Sequence, residues 1–130
     1  MKIVLDTNII VSALLSPKGL PARILNLVLN GSAAIIYDNR VLAEYADVLG
    51  REKFKINQEL RDFIIDFIEN EGIYIIAESQ DIKFLDRDDK LFYELYKSGD
   101  ADYLITGNKK HFPGEKSIIT AREFIEINSW

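Results

Sequence analysis

The chain has 130 residues, 48% of them hydrophobic and 28% charged, with a formal net charge of −5 and no cysteine. That length suits one domain (1–130) with a substantial core, and the missing cysteine excludes disulfides, thiolate metal sites and a cysteine nucleophile. The acidic balance argues against a plain nucleic-acid-binding module, though not against an enzyme that meets nucleic acid through divalent metals. Apolar runs stop far short of a membrane span, and no basic-then-apolar leader precedes the first strand. A cytoplasmic protein without membrane association is therefore expected, consistent with the cysteine usage.

In chain order, Ile3, Val4 and Leu5 form an apolar run ending in Asp6, Thr7 and Asn8. Such a run predicts a strand buried on both faces, as in a parallel sheet. Ile9 to Leu15 continue as a short helix stopped by Ser16 and Pro17. Pro21 suits the first turn of a second helix and Gly31 its end. Ala33 to Tyr37 give strand two, and Asp38 caps a third helix reaching about Leu49. Asn57 caps a fourth, with Leu60, Phe63, Ile64, Phe67 and Ile68 on one apolar face, ended by Gly72. Ile73 to Ile76 make strand three. A polar loop from Glu78 to Asp88 leads to a fifth helix carrying Leu91, Phe92 and Leu95. Tyr103 to Thr106 give strand four and Ser117 to Ile119 strand five. Thr120 and Glu123 stand at capping-box spacing for a last helix through Ile127. Strands separated by helices predict an α/β fold: a three-layer α/β/α sandwich around a parallel sheet of about five strands.

A carboxylate just past a strand end lies where open α/β sheets hold ligands, in the crevice at the carboxyl edge. Asp6 ends strand one there. Glu44 falls near the start of helix three, Asp89 opens helix five, and Asn108 follows Thr106 by two residues. On a helical wheel Glu44 sits at the margin of the buried arc of Val41, Leu42, Tyr45, Val48 and Leu49, while Asp47 turns toward water. A half-buried carboxylate is costly unless paired or cation-bound. Singly, each residue has a plain explanation: a snorkelling glutamate, a capping aspartate, a turn asparagine, a strand threonine. Convergence of Asp6, Glu44 and Asp89 on one sheet edge is harder to explain that way. Clustered carboxylates repel, and a divalent metal removes the penalty. Oxygen-only ligands suit Mg²⁺ or Mn²⁺, and two ions roughly 4 Å apart serve phosphodiester cleavage.

Four segments, VLDTN at 4–8, LAEYADVLGREKF at 42–54, DRDDKLFYEL at 86–95 and ADYLITGNKKHFP at 101–113, resemble the PIN domain. The similarity is greatest to the branch that supplies toxins of toxin–antitoxin systems, and the motifs run in register through nearly the whole chain. The resemblance implies a Mg²⁺- or Mn²⁺-dependent ribonuclease of single-stranded or structured RNA, with an antitoxin protein as partner and a homodimer as the assembly. By position, Asp6, Glu44 and Asp89 match the family's first three acids, as catalytic residues and metal ligands. Where a fourth acid is common this chain has Asn108, an uncharged and weak ligand, which leaves open whether one or two ions bind. Asp86 and Asp102 are the alternative sources of a carboxylate. Asp102 starts strand four, toward the opposite edge, and its structural role is favoured.

Asn8 and Thr106 resemble groups that hold Asp6 and a water or phosphate in place, although turn and cap roles predict the same residues. His111, the single histidine, reads as a loop residue before Phe112 and Pro113, not as a general base. Among the basic residues Lys18, Arg23, Arg40, Arg51, Lys53, Lys55, Lys109 and Lys110, those in segments expected at the active edge include Arg40, Lys109 and Lys110. Contacts of that kind position an RNA backbone without reading sequence.

Two other α/β types compete, one beginning with a similar strand that ends in aspartate and one sharing the broad architecture. A phosphotransferase of the haloacid dehalogenase type needs a second aspartate where Asn8 stands, and a receiver domain needs a phospho-acceptor on strand three, where Ile73 to Ile76 supply none. Neither accounts for Glu44. The rival that remains is a PIN-like protein-interaction module, weak or inactive for want of the fourth acid.

Overall fold

The computed structural model describes residues 1–83 and 86–128. β1 (Lys2–Leu5) lies at the centre of a five-stranded sheet, between β2 (Ala34–Tyr37) and β4 (Tyr103–Ile105). β3 (Ile73–Tyr74) and β5 (Ile118–Ile119) form the edges, giving the order β3-β2-β1-β4-β5 with every pair parallel. Ile3, Val4 and Leu5 are each 0% exposed. Successive strand residues point to opposite faces, so both faces of the sheet are covered, as the unbroken apolar run predicts.

The covering helices are α1 (Thr7–Leu15), α2 (Leu20–Leu29), α3 (Asn39–Leu49), α4 (Gln58–Glu71), α5 (Arg87–Ser98) and α6 (Ala121–Ile127). α1 packs on α2 and α2 on α6; α3 packs on α4; α5 lies against β1, β2 and β4. The architecture is the expected α/β/α sandwich. Among the described residues no helix is long and apolar enough to cross a membrane.

Capping sets most of the helix starts. Asp38 accepts the Val41 N–H at 2.9 Å and Asn57 accepts that of Glu59 at 2.8 Å. Thr120 and Glu123 form the reciprocal capping box, each bond 3.1 Å. Pro21 sits in the first turn of α2, where its missing N–H is harmless, and Gly31, at φ +86°, takes the left-handed turn just past that helix.

Several boundaries differ from expectation. α1 begins at Thr7 rather than Ile9, because Asp6 itself is the cap and accepts the Asn8 N–H. β3 stops at Tyr74; the Ile75 N–H still reaches Tyr37 O at 3.0 Å, but Ile76 is 82% exposed and has left the sheet. On α4 only Ile64 and Ile68 are buried, whereas Leu60 and Phe63 of the expected apolar face lie open. Residues 84 and 85 of the expected Glu78 to Asp88 loop lie outside the described residues. The described remainder of that loop carries no regular structure up to residue 86, and α5 then starts at Arg87.

Candidate active site

The strand order reverses at β1. The chain steps from β1 to β2 to β3 on one side, and β4 then returns to pair on the other. The crevice between the carboxyl ends of β1 and β4 is thus the switch point where such sheets bind ligands. In the β1–β4 register Leu5 pairs with Ile105, so the next residues, Asp6 and Thr106, stand side by side.

Asp6 is 6% exposed and held at both oxygens. The Thr106 hydroxyl donates to Oδ2 at 2.8 Å and the Asn8 backbone N–H to Oδ1 at 3.3 Å. Thr106 is fully buried, and its own oxygen accepts the Asn108 N–H at 3.0 Å. Thr106 therefore acts on Asp6 through its hydroxyl, whereas Asn8 acts through its backbone while its side chain is exposed.

Glu44 reaches the same place because α3 is locked to the end of β1. The next residue, Tyr45, is completely buried and its hydroxyl donates to Leu5 O at 2.5 Å. Glu44, half-buried, accepts from the Thr7 hydroxyl at 3.3 Å. Tyr45 also stacks on Phe92 of α5, ring centroids 6.2 Å apart. Phe92 lies one turn beyond Asp89, so this aromatic pair fixes α3 and α5 beneath their two acids. Asp89 is buried in the first turn of α5 and its Oδ2 lies 3.1 Å from His111 Nδ1.

A cavity of about 190 Å³ is lined by Asp6, Glu44, Asp86, Asp88 and Asp89, with Thr7, Asn8, Arg51 and Lys53 among its other walls. Two larger cavities, about 360 Å³ by α2 and α4 and about 290 Å³ beside β3, each carry a single acid, Glu71 or Asp38. Size therefore does not mark the site; the gathering of carboxylates does.

The electrostatics match such a gathering. Burial, foremost, raises the Asp6 carboxyl above its ordinary range despite the Thr106 and Asn8 bonds. Burial and then Asp88 raise Glu44; burial and then Asp6 and Asp86 raise Asp89. An ionised trio is thus uncompensated by the protein alone. The oxygen-only donor set fits a hard divalent cation. Among the described residues, however, no three acid or histidine side chains stand close enough together to enclose an ion as they are. Asp6, Glu44 and Asp89 are each turned to a protein partner instead.

The other expected residues fall out differently. Asp86 lines the cavity and caps α5, accepting the Asp88 N–H at 2.8 Å. Asp102 accepts the Lys2 N–H at 2.8 Å, at the amino end of β1 and far along the strands from Asp6. The Asn108 side chain is exposed, and its backbone N–H bonds to the Thr106 hydroxyl. Arg40 is bound to Asp38 and Glu94, each at 2.9 Å, and Lys109 to Glu123 at 2.9 Å. Lys110 is exposed.

Two residues were missed by sequence reasoning. Tyr45 is indistinguishable on a helical wheel from any other core residue. His111 gave a signal, a histidine five residues beyond Thr106 on the loop leaving β4, but one that common loop histidines share.

The PIN domain pattern matches residues 2–110 of the chain. No curated protein matches it in sequence. In structure it is similar to a chain of VapBC2 from Rickettsia felis, solved bound to a DNA fragment from their promoter. That likeness has a TM-score of 0.61 at 21% identity and covers 92% of this chain and 97% of the other. Four sequence motifs, the sheet order and the match over 2–110 agree, and the chain belongs to the PIN domain family.

Proposed function

We propose that the protein is a ribonuclease dependent on Mg²⁺ or Mn²⁺, and the toxin of a toxin–antitoxin pair. The observation that carries this reading is the convergence of Asp6, Glu44 and Asp89 on one cavity at the switch point, each with its carboxyl raised by burial and by neighbouring acids or against its hydrogen bonds. Asp6, Glu44 and Asp89 are the residues that would hold the ion, with Asn108 at most a weak amide donor. A bound divalent ion would supply Lewis acidity toward the phosphate and lower the pKa of an attacking water.

The chain's own residues do the rest. Asp6, gripped by Thr106 and Asn8, presents a fixed carboxylate and needs little reorganisation. Tyr45 and Phe92 keep Glu44 and Asp89 at a constant separation. Lys53 and Arg51 stand on the cavity wall, Arg51 in an exposed pair with Asp47 at 3.2 Å, and would meet RNA phosphates and offset the acids' repulsion of the strand. Arg40, spoken for by two carboxylates, is better suited to structure than to RNA, while Lys109 and Lys110 flank the β4 end of the crevice.

Likeness to a chain of the VapBC2 complex supports an antitoxin partner; a homodimer and a cytoplasmic setting belong to the same proposal. Incubation of a mixed RNA panel with Mn²⁺ or Mg²⁺ should give cleavage that EDTA abolishes; cleavage surviving EDTA overturns the metal-dependent reading. A second reading rests on Asn108 and on the acids' failure to enclose an ion as they stand: a PIN module that associates without cleaving. An absence of Mn²⁺ binding by calorimetry would favour it.

A further inference from the structure

We infer that His111 is a positioning residue of the site, its Nδ1–H holding the Asp89 carboxylate in place. The inference rests on the metal-site reading above. Asp89 is the acid least tied to the sheet: Asp6 is braced by Thr106 and Asn8, and Glu44 by Thr7 and the Tyr45 anchor, whereas Asp89 stands in the first turn of a helix, one residue beyond Asp88, whose N–H the capping Asp86 accepts. Its carboxylate Oδ2 lies 3.1 Å from His111 Nδ1.

His111 is well mounted for that role. It ends a 3₁₀ turn, Lys109–His111, whose entry is tied down where the Asn108 N–H bonds to Thr106. The turn closes on itself through His111 N–H to Asn108 O at 3.0 Å and Phe112 N–H to Lys109 O at 3.1 Å. Phe112 is buried in the core, and Lys109 is tied to Glu123 of α6. The loop leaving β4 therefore touches two acids from one rigid turn: Asp6 through Thr106, and Asp89 through His111. Contacts of this kind, one step back from a metal, typically change affinity 10–100-fold when removed.

Calorimetric titration of Mn²⁺ into the full chain at one fixed pH separates the possibilities. His111→Ala and His111→Gln should weaken Mn²⁺ binding about 10–100-fold, since one lacks a donor and the other displaces it. His111→Asn, whose amide N–H falls close to the position of Nδ1–H, should bind within about threefold of wild type. The melting temperatures of the metal-free variants show whether each is folded. Equal Mn²⁺ affinity in wild type, His111→Ala and His111→Gln overturns the positioning role while leaving the site intact. Equal weakening in His111→Asn and His111→Ala also overturns it, because the donor would then not be what matters. A wild type that binds no Mn²⁺ brings down both the inference and the site reading.

Discussion

Asp6 is expensive to the fold in the absence of a cation. Its carboxyl is raised by burial more than its two hydrogen bonds lower it, so the ionised form is worse placed in the folded chain than in the unfolded one. The sign follows: an acid whose folded pKa is raised weakens the fold at neutral pH, and that cost is relieved as pH falls through the raised value. Glu44 and Asp89 shift in the same direction. Thermal melts of the metal-free protein should therefore show stability rising as pH is lowered from neutral toward the ordinary carboxylate range. Asp6→Asn keeps a capping side chain at the head of α1 and removes the buried charge. It should stabilise the metal-free fold by about 1 kcal/mol and flatten the upper part of that profile. A lower melting temperature for Asp6→Asn at neutral pH would show that Asp6 is a structural acid.

At the scale of elements, α5 is the member that makes the site depend on packing. Its buried Glu94 accepts Arg40 from α3 at 2.9 Å and the Gln80 N–H at 2.9 Å, and Arg40 also holds Asp38, the cap of α3. Burial alone would raise the Glu94 carboxyl, but the Gln80 and Arg40 bonds outweigh it and the net shift is downward. Glu94 therefore contributes stability above the ordinary carboxylate value and loses it as pH falls through its depressed one, opposite in sign to Asp6, Glu44 and Asp89. Arg40→Ala leaves Asp38 and Glu94 buried without their shared cation. It should cost about 2–3 kcal/mol by denaturant titration, below the full value for a buried pair because the guanidinium is half exposed. A cost near zero would contradict the bracing role. The α4–β3 junction is equally strict. A Cβ on Gly72 would lie 2.5 Å from Ile68 O and 2.9 Å from Ile35 O, and neither backbone atom yields easily. Gly72→Ala should destabilise by about 2 kcal/mol or more, measured the same way; an unchanged midpoint would mean that β3 shifts freely.

These elements also show what the sequence could and could not disclose. Local signals are self-contained, so Asp38, Asn57 and the Thr120–Glu123 pair marked α3, α4 and α6 correctly from a few residues each. The strand-end rule likewise led to Asp6 without any knowledge of its neighbours. Partners far apart in the chain were hidden: Arg40 meets Glu94 across 54 residues, and His111 meets Asp89 from a different loop. A periodic apolar face says what a helix is able to bury, not what is there to cover it, which is why Leu60 and Phe63 of α4 stand open.

For the molecule as a whole, the site exists only once the sheet is complete. Asp6 and Thr106 are 100 residues apart and meet because β4 pairs with β1 after β2 and β3 have gone to the other side. Three raised carboxyls in one crevice make the metal-free protein less stable than its core allows, and a ligand that binds only the folded state recovers that loss by mass action. Mn²⁺ at about 100 times its dissociation constant should add about 2.7 kcal/mol to the wild type and much less to Asp6→Asn. An equal rise in melting temperature for both would place the ion elsewhere. The most direct test of the central claim is the turnover of one RNA substrate by wild type and by Asp6→Asn, each with Mn²⁺ and with EDTA. Cleavage is expected only for wild type with Mn²⁺, with a loss on the order of 10²-fold or more in the variant. Equal rates in the two proteins, or wild-type cleavage undiminished by EDTA, would contradict it.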